Sequence, residues 1–540
     1  MKSFNYLIVI MAVNLLVSSE KKLLKKFNKE PTQQFRAVWS TPVGGDSDLI
    51  TYISKEDFIK NMTYILDTLQ MYNMNSLIYH VRMHDDALYK SKYNPVSPYW
   101  SEVDFNDFDP LEWMINETHK RGIDFHAWMN PYNIKSGYVP VEDIVEQYKG
   151  LENPANDSNN ILVGVNFINL NPGLEIVRNF INTTIQEFLE NYEVDAIHFD
   201  DFFYDDMGAA GKTEGNYTIL DEPDQITYEE YIEDHPECKY DSKNANDKAD
   251  WRRDQTDELI KLLSNSIKEY NEKNNKKVQF GISPTGIYKN GDGVVTYDEQ
   301  GNAITTGSKT NGQEHFHSYI FANTLNWINN YWIDYILPQS YWAQDHPLAR
   351  YKNVMGWWNK VVEYKKTNLF SGIGLYMADL SVDTYGWQKN QNEMMEQISY
   401  CYETKNIDGY SIYNFHTLRK LRDGEETISA TQVKNAMKAW QTKMPPTEIK
   451  SYDKIKLGKP ENLAFEDNVL SFNKVNEAKY YVIYRSEYEI TFVPQEIVDI
   501  FKDDSDLVKW IETDPGDYNY GVKALSYTNT LGDGATINKQ

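Results

Sequence analysis

Two adjacent carboxylates, Asp200 and Asp201, end an apolar run near the middle of the chain, and aromatic residues follow them directly. Carboxylates at the end of a buried strand lose hydration, so the position is costly unless other interactions compensate for the loss. Glycoside cleavage needs paired carboxyl groups, one as acid and one as nucleophile or base. Adjacent residues on one strand do not easily flank a bond, so Asp200 is expected to act with an acid from another loop. The candidates for that second acid are Asp86, Asp205, Asp345 and Asp379.

Asp86 ranks first among these candidates because it follows an apolar run that lies two runs before that of Asp200, with the binding of a sugar hydroxyl beside Arg82 as the alternative role. If both runs are strands of one barrel, the two carboxyl groups lie at the same rim, within the roughly 5–10 Å that glycosidases span. Repulsion between Asp200 and Asp201 would raise the pKa of one of them, which suits an acid. Asp201 keeps two open interpretations: a catalytic carboxylate, or a group that binds a sugar hydroxyl or caps a helix.

Eight short apolar runs recur along the chain, and amphipathic, helix-length segments separate them. The runs cover residues 35–40, 75–82, 124–132, 195–204, 279–286, 334–342, 368–376 and 408–415. The helical segments cover residues 55–72, 109–121, 173–191, 251–271, 317–331, 354–365 and 388–404. Strands that alternate with helices predict a parallel sheet, and eight of them predict closure into a (β/α)8 TIM barrel. The alternative is an open doubly wound sheet, but no glycine-rich phosphate loop follows any of the runs.

Side chains alternate along a strand, so the inward positions can be predicted from residue type. In the run 195–204, Ala196, His198 and Asp200 share one face, and the bulky Ile197 and Phe199 share the other. We expect the small and polar set to face the barrel axis. In the first and eighth runs the same rule assigns to the interior Arg36, Val38, Ser40, Ile412 and Asn414.

Polar residues at inward positions collect toward the carboxyl ends of the runs, whereas a barrel interior is normally packed with branched apolar side chains. The set as a whole therefore predicts a ligand site at this end of the barrel. Its expected substrate-binding members are Arg82, His126, Trp128, Asn130, His198, Tyr204, Gln339, Tyr341, Trp342 and Asn414. His80 falls on the same parity but is interpreted as a structural residue of the core.

A metal-dependent hydrolase is the rival enzymatic interpretation. Barrel amidohydrolases need paired histidines on the first strand and further histidines on later ones, but the first, fifth and sixth runs contain none. His126, His198 and Asp200 could still hold one ion. We nevertheless expect a site with no metal and no other cofactor.

Composition and the N-terminal sequence limit the binding partners and the cellular location that the protein can have. The 540 residues carry a formal net charge of −26, which argues against nucleic acid and anionic lipid as partners. A lysine, a short apolar run and small residues predict a secretory signal peptide over residues 1–19, with an uncleaved anchor as the alternative. The run is too short to span a bilayer, and a charged, flexible leader is expected over residues 20–34. With Cys238 and Cys401 as the only cysteines, the fold is not expected to depend on a disulfide framework.

The chain changes character after the predicted barrel domain, which covers residues 35–440. Residues 441–458 contain Pro445 and Pro446 and predict a linker with few contacts across the boundary. Short alternating strands with turns then predict a small β-sandwich over residues 459–540. This region resembles a fibronectin type III module, with Phe472 where that family usually has tryptophan.

Several motifs in one order resemble the glycosyl hydrolase-like 10 family, relatives of a bacterial enzyme that digests denuded peptidoglycan glycan strands. The resemblance spans residues 35–418, and Asp85 departs from it where glycine is usual. The motifs are FRAVWS at 35–40, VRMHDDALY at 81–89, DPLEW at 109–113, HAWMNPY at 126–132, LNPG at 170–173, IHFDD at 197–201, FGISP at 280–284 and PQSYW at 338–342. The resemblance implies that Asp200 and Asp201 are the paired acids of the fourth strand, and Asp86 the acid of the second.

A polar insertion over residues 205–250 follows the paired acids directly. Long loops on the catalytic face often shape substrate grooves, so we expect this one to do so. Two functions remain in competition. The first is an exported glycoside hydrolase that acts on glycan strands such as peptide-free peptidoglycan. The second is a non-catalytic, glycan-binding cell-surface protein, and the retained acids favour the first.

Overall fold

The structure is a computed structural model that describes residues 31–208, 218–317, 319–514 and 516–538 of the chain. The predicted signal peptide and most of the predicted leader lie outside these residues. Gln33 and Gln34, at the end of that leader, are held in place. The side chain of Gln33 donates to the carbonyls of Pro446 and Asn529 at 2.8 and 2.7 Å, and the backbone N–H of Gln34 donates to Pro445 at 3.0 Å.

Eight parallel strands form a closed barrel in which each strand pairs with its neighbours in chain order. The predicted (β/α)8 barrel is therefore confirmed. The strands are β1 (Phe35–Ser40), β2 (Ser76–Arg82), β3 (Asp124–Met129), β4 (Ala196–Phe199), β5 (Gln279–Ile282), β6 (Tyr335–Ile336), β7 (Asn368–Gly374) and β8 (Ile407–Tyr413).

One helix follows each barrel strand and covers its outer face. The helices are α1 (Lys55–Met71), α2 (Pro110–Lys120), α3 (Glu175–Asn191), α4 (Ala245–Asn274), α5 (Thr324–Asn329), α6 (Tyr351–Val361), α7 (Glu393–Glu403) and α8 (Ile428–Ala436). Local sequence sets several of their starts, because Ser54 and Asp109 accept hydrogen bonds from backbone N–H groups in the first turns of α1 and α2. Helix α5 is much shorter than the predicted segment 317–331.

The loops carry further short elements. A three-stranded antiparallel sheet follows β3 and contains Asn133–Ser136, Phe167–Leu170 and Ile161–Val163. A hairpin after β5 pairs Val295–Tyr297 with Ala303–Thr305. The additional α-helices are Ser47–Ile50, Val141–Gln147, Gln225–Asp234, Gly386–Lys389 and Phe415–Arg419. Within the described ranges, no helix is both long and apolar enough to cross a membrane.

Strand β4 follows the predicted alternation. Ala196 packs in the interior cluster of the barrel, whereas Ile197 and Phe199 pack in the shell between strands and helices. His198 also lies inside, where its Nε2 accepts the indole N–H of Trp39 at 3.2 Å. The inward set therefore leads directly to the paired carboxylates at the carboxyl end of this strand.

Strand β1 alternates in the opposite sense to the prediction. Phe35 and Trp39 fill the interior, whereas Val38 packs in the outer shell. Arg36 also points away from the barrel axis, and Ile412 of β8 joins the outer shell. The inward assignments for these two strands are wrong because the interior holds large aromatic rings where the rule expected small and polar side chains.

Two sheets form the C-terminal domain and share a core, so the predicted β-sandwich is present. The three-stranded sheet has the order Ala464–Glu466, Val469–Asn473, Leu507–Ile511, and the four-stranded sheet has the order Ile497–Phe501, Ala478–Ser486, Asn519–Ser526, Ala535–Ile537. Phe472 is fully buried in the core between them. The strands are β9 (Ala464–Glu466), β10 (Val469–Asn473), β11 (Ala478–Ser486), β12 (Ile497–Phe501), β13 (Leu507–Ile511), β14 (Asn519–Ser526) and β15 (Ala535–Ile537). The resemblance to a fibronectin type III module stays a prediction.

The segment 441–458 lies against the amino-terminal ends of the barrel strands, contrary to the prediction of few contacts. Its backbone carbonyls accept hydrogen bonds from Arg36, Asn75 and Asn368 at 2.8 to 3.1 Å. Lys450 forms an ion pair with Asp408 at 2.6 Å. The composition of the segment indicated a linker, but backbone acceptors do not depend on residue type and leave no signal in the sequence.

Candidate active site

A cavity of about 410 Å³ opens at the carboxyl ends of the barrel strands. Its volume suits a small ligand or one to two sugar units. The lining residues that were predicted from the sequence are Trp128, Asn130, Asp200, Asp201, Gln339 and Tyr341. The lining residues that were not selected as binding residues are Trp39, Val43, His80, Met83, His84, Asn133, Ser136, Phe167, Phe202, Tyr376 and Tyr413.

Asp200 and Asp201 are held by different donors. The backbone N–H of Phe202 donates to Asp200 at 3.1 Å, and Asp200 is 4% exposed. The hydroxyl of Thr285, which follows β5, donates to Asp201 at 2.9 Å. Asp201 is partly exposed and lies nearer the cavity mouth. Both carboxylates therefore face the same cavity from one strand end.

The environment of the pair favours one shared proton. Burial raises the pKa of Asp200 well above its ordinary value, and the charge of Asp201 raises it further. Burial also raises the pKa of Asp201, but hydrogen bonds from Thr285 and Gln339 oppose that rise. Because burial and the charge of its neighbour both raise the pKa of Asp200, we assign the shared proton to Asp200 and the charge to Asp201. The pair thus offers an acid and a carboxylate at the pH where isolated aspartates are both ionised.

Aromatic rings form the other walls of the cavity. His80 stacks on Trp128 with ring centroids 3.7 Å apart and planes 3° from parallel. Trp39 meets Tyr413 edge-on at 5.9 Å, and Tyr413 lies 5.7 Å from Tyr341. Burial lowers the pKa of His80, so its imidazole is neutral at pH 7. Flat, weakly polar walls of this kind suit the faces of sugar rings.

His126 and His198 lie below the cavity floor rather than on its walls. The hydroxyl of Tyr335 lies 2.9 Å from Nδ1 of each imidazole. Gly281 on β5 leaves room for this tyrosine, because a Cβ there would lie 1.9 Å from its ring. His198 therefore positions Trp39, and Tyr335 holds both histidines below the floor. Among the described residues, no group of three histidine, cysteine, aspartate or glutamate side chains could hold a metal ion.

Arg82 points away from the cavity because a β-bulge interrupts β2. The register against β3 shifts between His80 and Arg82, so the alternation of β2 changes after His80. One guanidinium nitrogen of Arg82 donates to the hydroxyl of Thr184 on α3 at 2.6 Å. Sequence parity placed His80 and Arg82 on the same face, and the bulge separates them.

The structure does not bring Tyr204, Trp342 and Asn414 to the cavity wall. Tyr204 packs in a separate cluster, where the guanidinium of Arg252 lies 5.2 Å above its ring. Trp342 packs against the outer shell of the barrel. The amide of Asn414 donates to Gly44 at 2.7 Å, and its oxygen caps the helix Phe415–Arg419. These side chains position loops and helices around the site.

None of the candidates for a second acid lines the cavity; each is held in a loop. Asp86 accepts the backbone N–H of His84 at 3.3 Å. Asp205 and Asp345 accept backbone N–H groups at 2.8 Å, and Asp379 pairs with Lys420 at 2.8 Å. The neighbour of Asp86, Asp85, is buried between the amides of Asn94 and Asn153, where burial raises its pKa to about 7. These contacts place the four candidates in loops beside the cavity lining, and the role of Asp86 as second acid stays a prediction.

We expect Asp86→Ala to lower kcat/KM by roughly tenfold, and by the same factor on a natural glycan and on an aryl glycoside with a good leaving group. We expect this because Asp86 accepts the backbone N–H of His84, which lines the cavity, whereas Asp86 itself is not among the described lining residues. Steady-state kinetics on both substrates measure this. Asp86→Asn, which keeps a side-chain oxygen acceptor, is the matched control. Selective rescue on the aryl glycoside would identify Asp86 as the acid.

The insertion 205–250 does not form part of the cavity wall in its described residues, 205–208 and 218–250. It instead packs onto α4. Arg252 is buried and pairs with Glu222 and Asp224, both at 2.5 Å, and Lys248 pairs with Asp224 at 2.8 Å. The expectation that this insertion shapes the substrate groove is not met by these residues.

A closed (β/α)8 barrel with paired carboxylates at the carboxyl ends of its strands is an arrangement that glycosidases use, and the same fold also supports other chemistries. Residues 34–387 match the family model of glycosyl hydrolase-like 10, and the chain belongs to that family.

Two curated relatives and one solved structure are similar to this chain. Glycosyl hydrolase YngK from Bacillus subtilis (strain 168) is 30% identical over 474 residues, which cover 85% of this chain and 84% of the relative. Glycosyl hydrolase DigH from Escherichia coli (strain K12) is 32% identical over 322 residues, 58% of this chain and 64% of the relative. The catalytic domain of the β-amylase from Paenibacillus polymyxa has a TM-score of 0.44 at 11% identity, covering 76% of this chain and 100% of that chain.

Proposed function

We propose that this protein is a glycoside hydrolase that cleaves glycosidic bonds in glycan strands by carboxylate chemistry. The observation that carries the proposal is the pair Asp200 and Asp201, which faces an aromatic-walled cavity at the carboxyl ends of the barrel strands. Membership of the glycosyl hydrolase-like 10 family supports the same activity. Peptide-free peptidoglycan is the first candidate substrate, because the sequence motifs resemble those of an enzyme that digests such strands.

The roles follow from the geometry of the pair. Asp200 donates its proton to the glycosidic oxygen as the bond to the anomeric carbon breaks. Asp201 carries negative charge beside the positive charge that develops on the sugar ring. Trp39, Trp128 and Tyr341 pack against the ring faces and exclude water from the reacting bond.

A glycan panel tests this activity. Reducing-end release should be fastest on peptide-free peptidoglycan strands, slower on intact peptidoglycan, and undetectable on glycans that the cavity does not accommodate. Tight binding to the strands without any reducing-end release would instead support a glycan-binding protein.

We further propose that the protein is exported and acts outside the cytoplasm. The support is the sequence of residues 1–19, whose charge, apolar run and small residues are typical of a signal peptide. Cell fractionation of a tagged full-length chain, with N-terminal sequencing of the mature protein, tests the proposal. A full-length protein that remains in the cytoplasm would contradict it.

A further inference from the structure

The carboxylates of the cavity lie on one side of the bond that they would cleave. Among the described lining residues, Asp200 and Asp201 are the only acids. They are adjacent in the chain and both leave the carboxyl end of β4. Glycosidases that use two carboxyl groups place them on opposite sides of the bond, about 5–9.5 Å apart. The pair can thus supply an acid and a charge, but no nucleophile or base from the opposite side.

The wall across the barrel from β4 offers no protein nucleophile. In the closed strand order β8 lies opposite β4, and the side chain that β8 contributes to the cavity is Tyr413. Trp39 of the adjacent β1 and Tyr376 of the loop after β7 complete this wall. Burial raises the pKa of both tyrosines, so they remain neutral phenols, which are poor nucleophiles. Among the described lining residues, this wall therefore holds no carboxylate that could attack the sugar, which leaves room for a nucleophile carried by the substrate.

We infer, on the basis of the proposed function, that the sugar in the cavity carries a 2-acetamido group and that its carbonyl oxygen attacks the anomeric carbon. This oxygen is held within reach of that carbon by the sugar itself, which gives the high effective concentration of an intramolecular reaction. Asp200 and Asp201 then act on one side of the glycosidic bond, which is where their common strand end places them.

The steps balance with these groups alone. The carbonyl oxygen forms a bond to C1, the bond from C1 to the leaving oxygen breaks, and that oxygen takes the proton of Asp200. The product is a bicyclic oxazolinium ion, whose N–H donates to the carboxylate of Asp201. Water then attacks C1 and gives its proton to Asp200, and the ring opens to restore the acetamido group. Two inversions at C1 give net retention of configuration.

The surroundings of the two carboxyl groups agree with this division of roles. Asp201 receives the hydroxyl of Thr285 at 2.9 Å, which favours the ionised form that an amide N–H requires. Asp200 is the more deeply buried of the two, and the negative charge of its neighbour raises its pKa further. The edge-on rings of Trp39 and Tyr413 offer an apolar surface for the acetamido methyl group.

Fluorination of the acetamido group tests the inference. Aryl glycosides that carry N-acetyl, N-fluoroacetyl, N-difluoroacetyl and N-trifluoroacetyl groups differ mainly in the electron density of the carbonyl oxygen. We expect kcat/KM to fall along the series by at least about tenfold, because the nucleophile weakens. The Asp201→Asn variant should have a lower kcat/KM than wild type. Its kcat/KM should also depend less on fluorination, because the N–H of the oxazolinium ion no longer faces a charged carboxylate. A rate that fluorination leaves unchanged would overturn the inference while leaving the proposed hydrolase intact.

A binding experiment covers the case in which aryl glycosides are poor substrates. A sugar-fused methylthiazoline has the shape of the oxazolinium ion and resists hydrolysis. Calorimetry should find that it binds at least about a hundredfold more tightly than the parent 2-acetamido sugar. Equal affinities would overturn the inference, and so would a covalent adduct on an aspartate after treatment with a 2-deoxy-2-fluoro glycoside. Absence of cleavage on every glycan would remove the proposed function and the inference together.

Discussion

Asp200→Asn is expected to fold normally and to lose at least about a thousandfold in turnover of glycan strands. The substitution keeps the size of the side chain but removes the proton that the leaving oxygen needs. It should also raise the thermal midpoint at pH 7. The folded protein raises the pKa of Asp200, so the wild-type fold holds a proton that the unfolded chain releases at neutral pH.

The sign of that stability change can be checked with pH. A group with a raised folded-state pKa stabilises the fold below its unfolded pKa of about 3.9, and this contribution is lost as pH rises toward the folded value. The difference in midpoint between Asp200→Asn and wild type should therefore be larger at pH 7 than at pH 5. Wild-type activity should fall as pH rises through the raised pKa of the pair. Asp383→Asn, an exposed acid beyond β7, is the control and should change neither quantity.

Lys479→Met is expected to lower the free energy of unfolding by about 3–5 kcal/mol. Lys479 of the β-sandwich is 5% exposed, and its ammonium lies 2.8 Å from Asp124 and 2.6 Å from Asp195. These aspartates stand at the amino-terminal ends of β3 and β4, opposite the cavity. Removal of the cation leaves two buried carboxylates that no longer have this partner, although His119 still contacts Asp195 at 2.9 Å. Denaturant unfolding and limited proteolysis of residues 441–458 measure the loss.

Two further variants separate charge from packing at this interface. Lys479→Met combined with Asp124→Asn and Asp195→Asn should recover part of the lost stability, because the uncompensated charges are gone. Lys389→Met removes an exposed lysine that pairs with Asp383 and should leave the midpoint unchanged. If Lys479→Met were as stable as wild type, the buried ion pairs would not be what joins the sandwich to the barrel.

The strand count, the element order and the position of the paired acids follow from the sequence, but the direction of single side chains does so only in part. Strand β4 alternates clearly between small or polar residues and the bulky Ile197 and Phe199, so its inward face could be predicted. Strand β1 has large residues on both faces. Its true interior face, with Phe35 and Trp39, depends on space left by other strands, which no single run reveals.

The direction of Arg82 and the place of His80 depend on neighbouring strands and cannot be predicted from one run alone. The bulge in β2 turns Arg82 outward and leaves His80 on the cavity wall, and a bulge is a property of the pairing with β3 rather than of one run. The sequence predicts a structural role for His80, and the residue is buried, as structural histidines usually are. Its stacking on Trp128 is what brings it to the site. The absence of a second acid from the described cavity wall likewise depends on loop contacts that spacing alone does not predict.

The most direct test of the central claim is the fate of water oxygen during cleavage. Peptide-free glycan strands are incubated with the protein in ¹⁸O-labelled water, and the products are examined by mass spectrometry. If the pair Asp200 and Asp201 drives hydrolysis, each new reducing end carries one ¹⁸O atom, and Asp200→Asn gives no labelled product in the same time. Strands that stay intact with folded wild-type protein, or fragments that form without the label, would contradict the account.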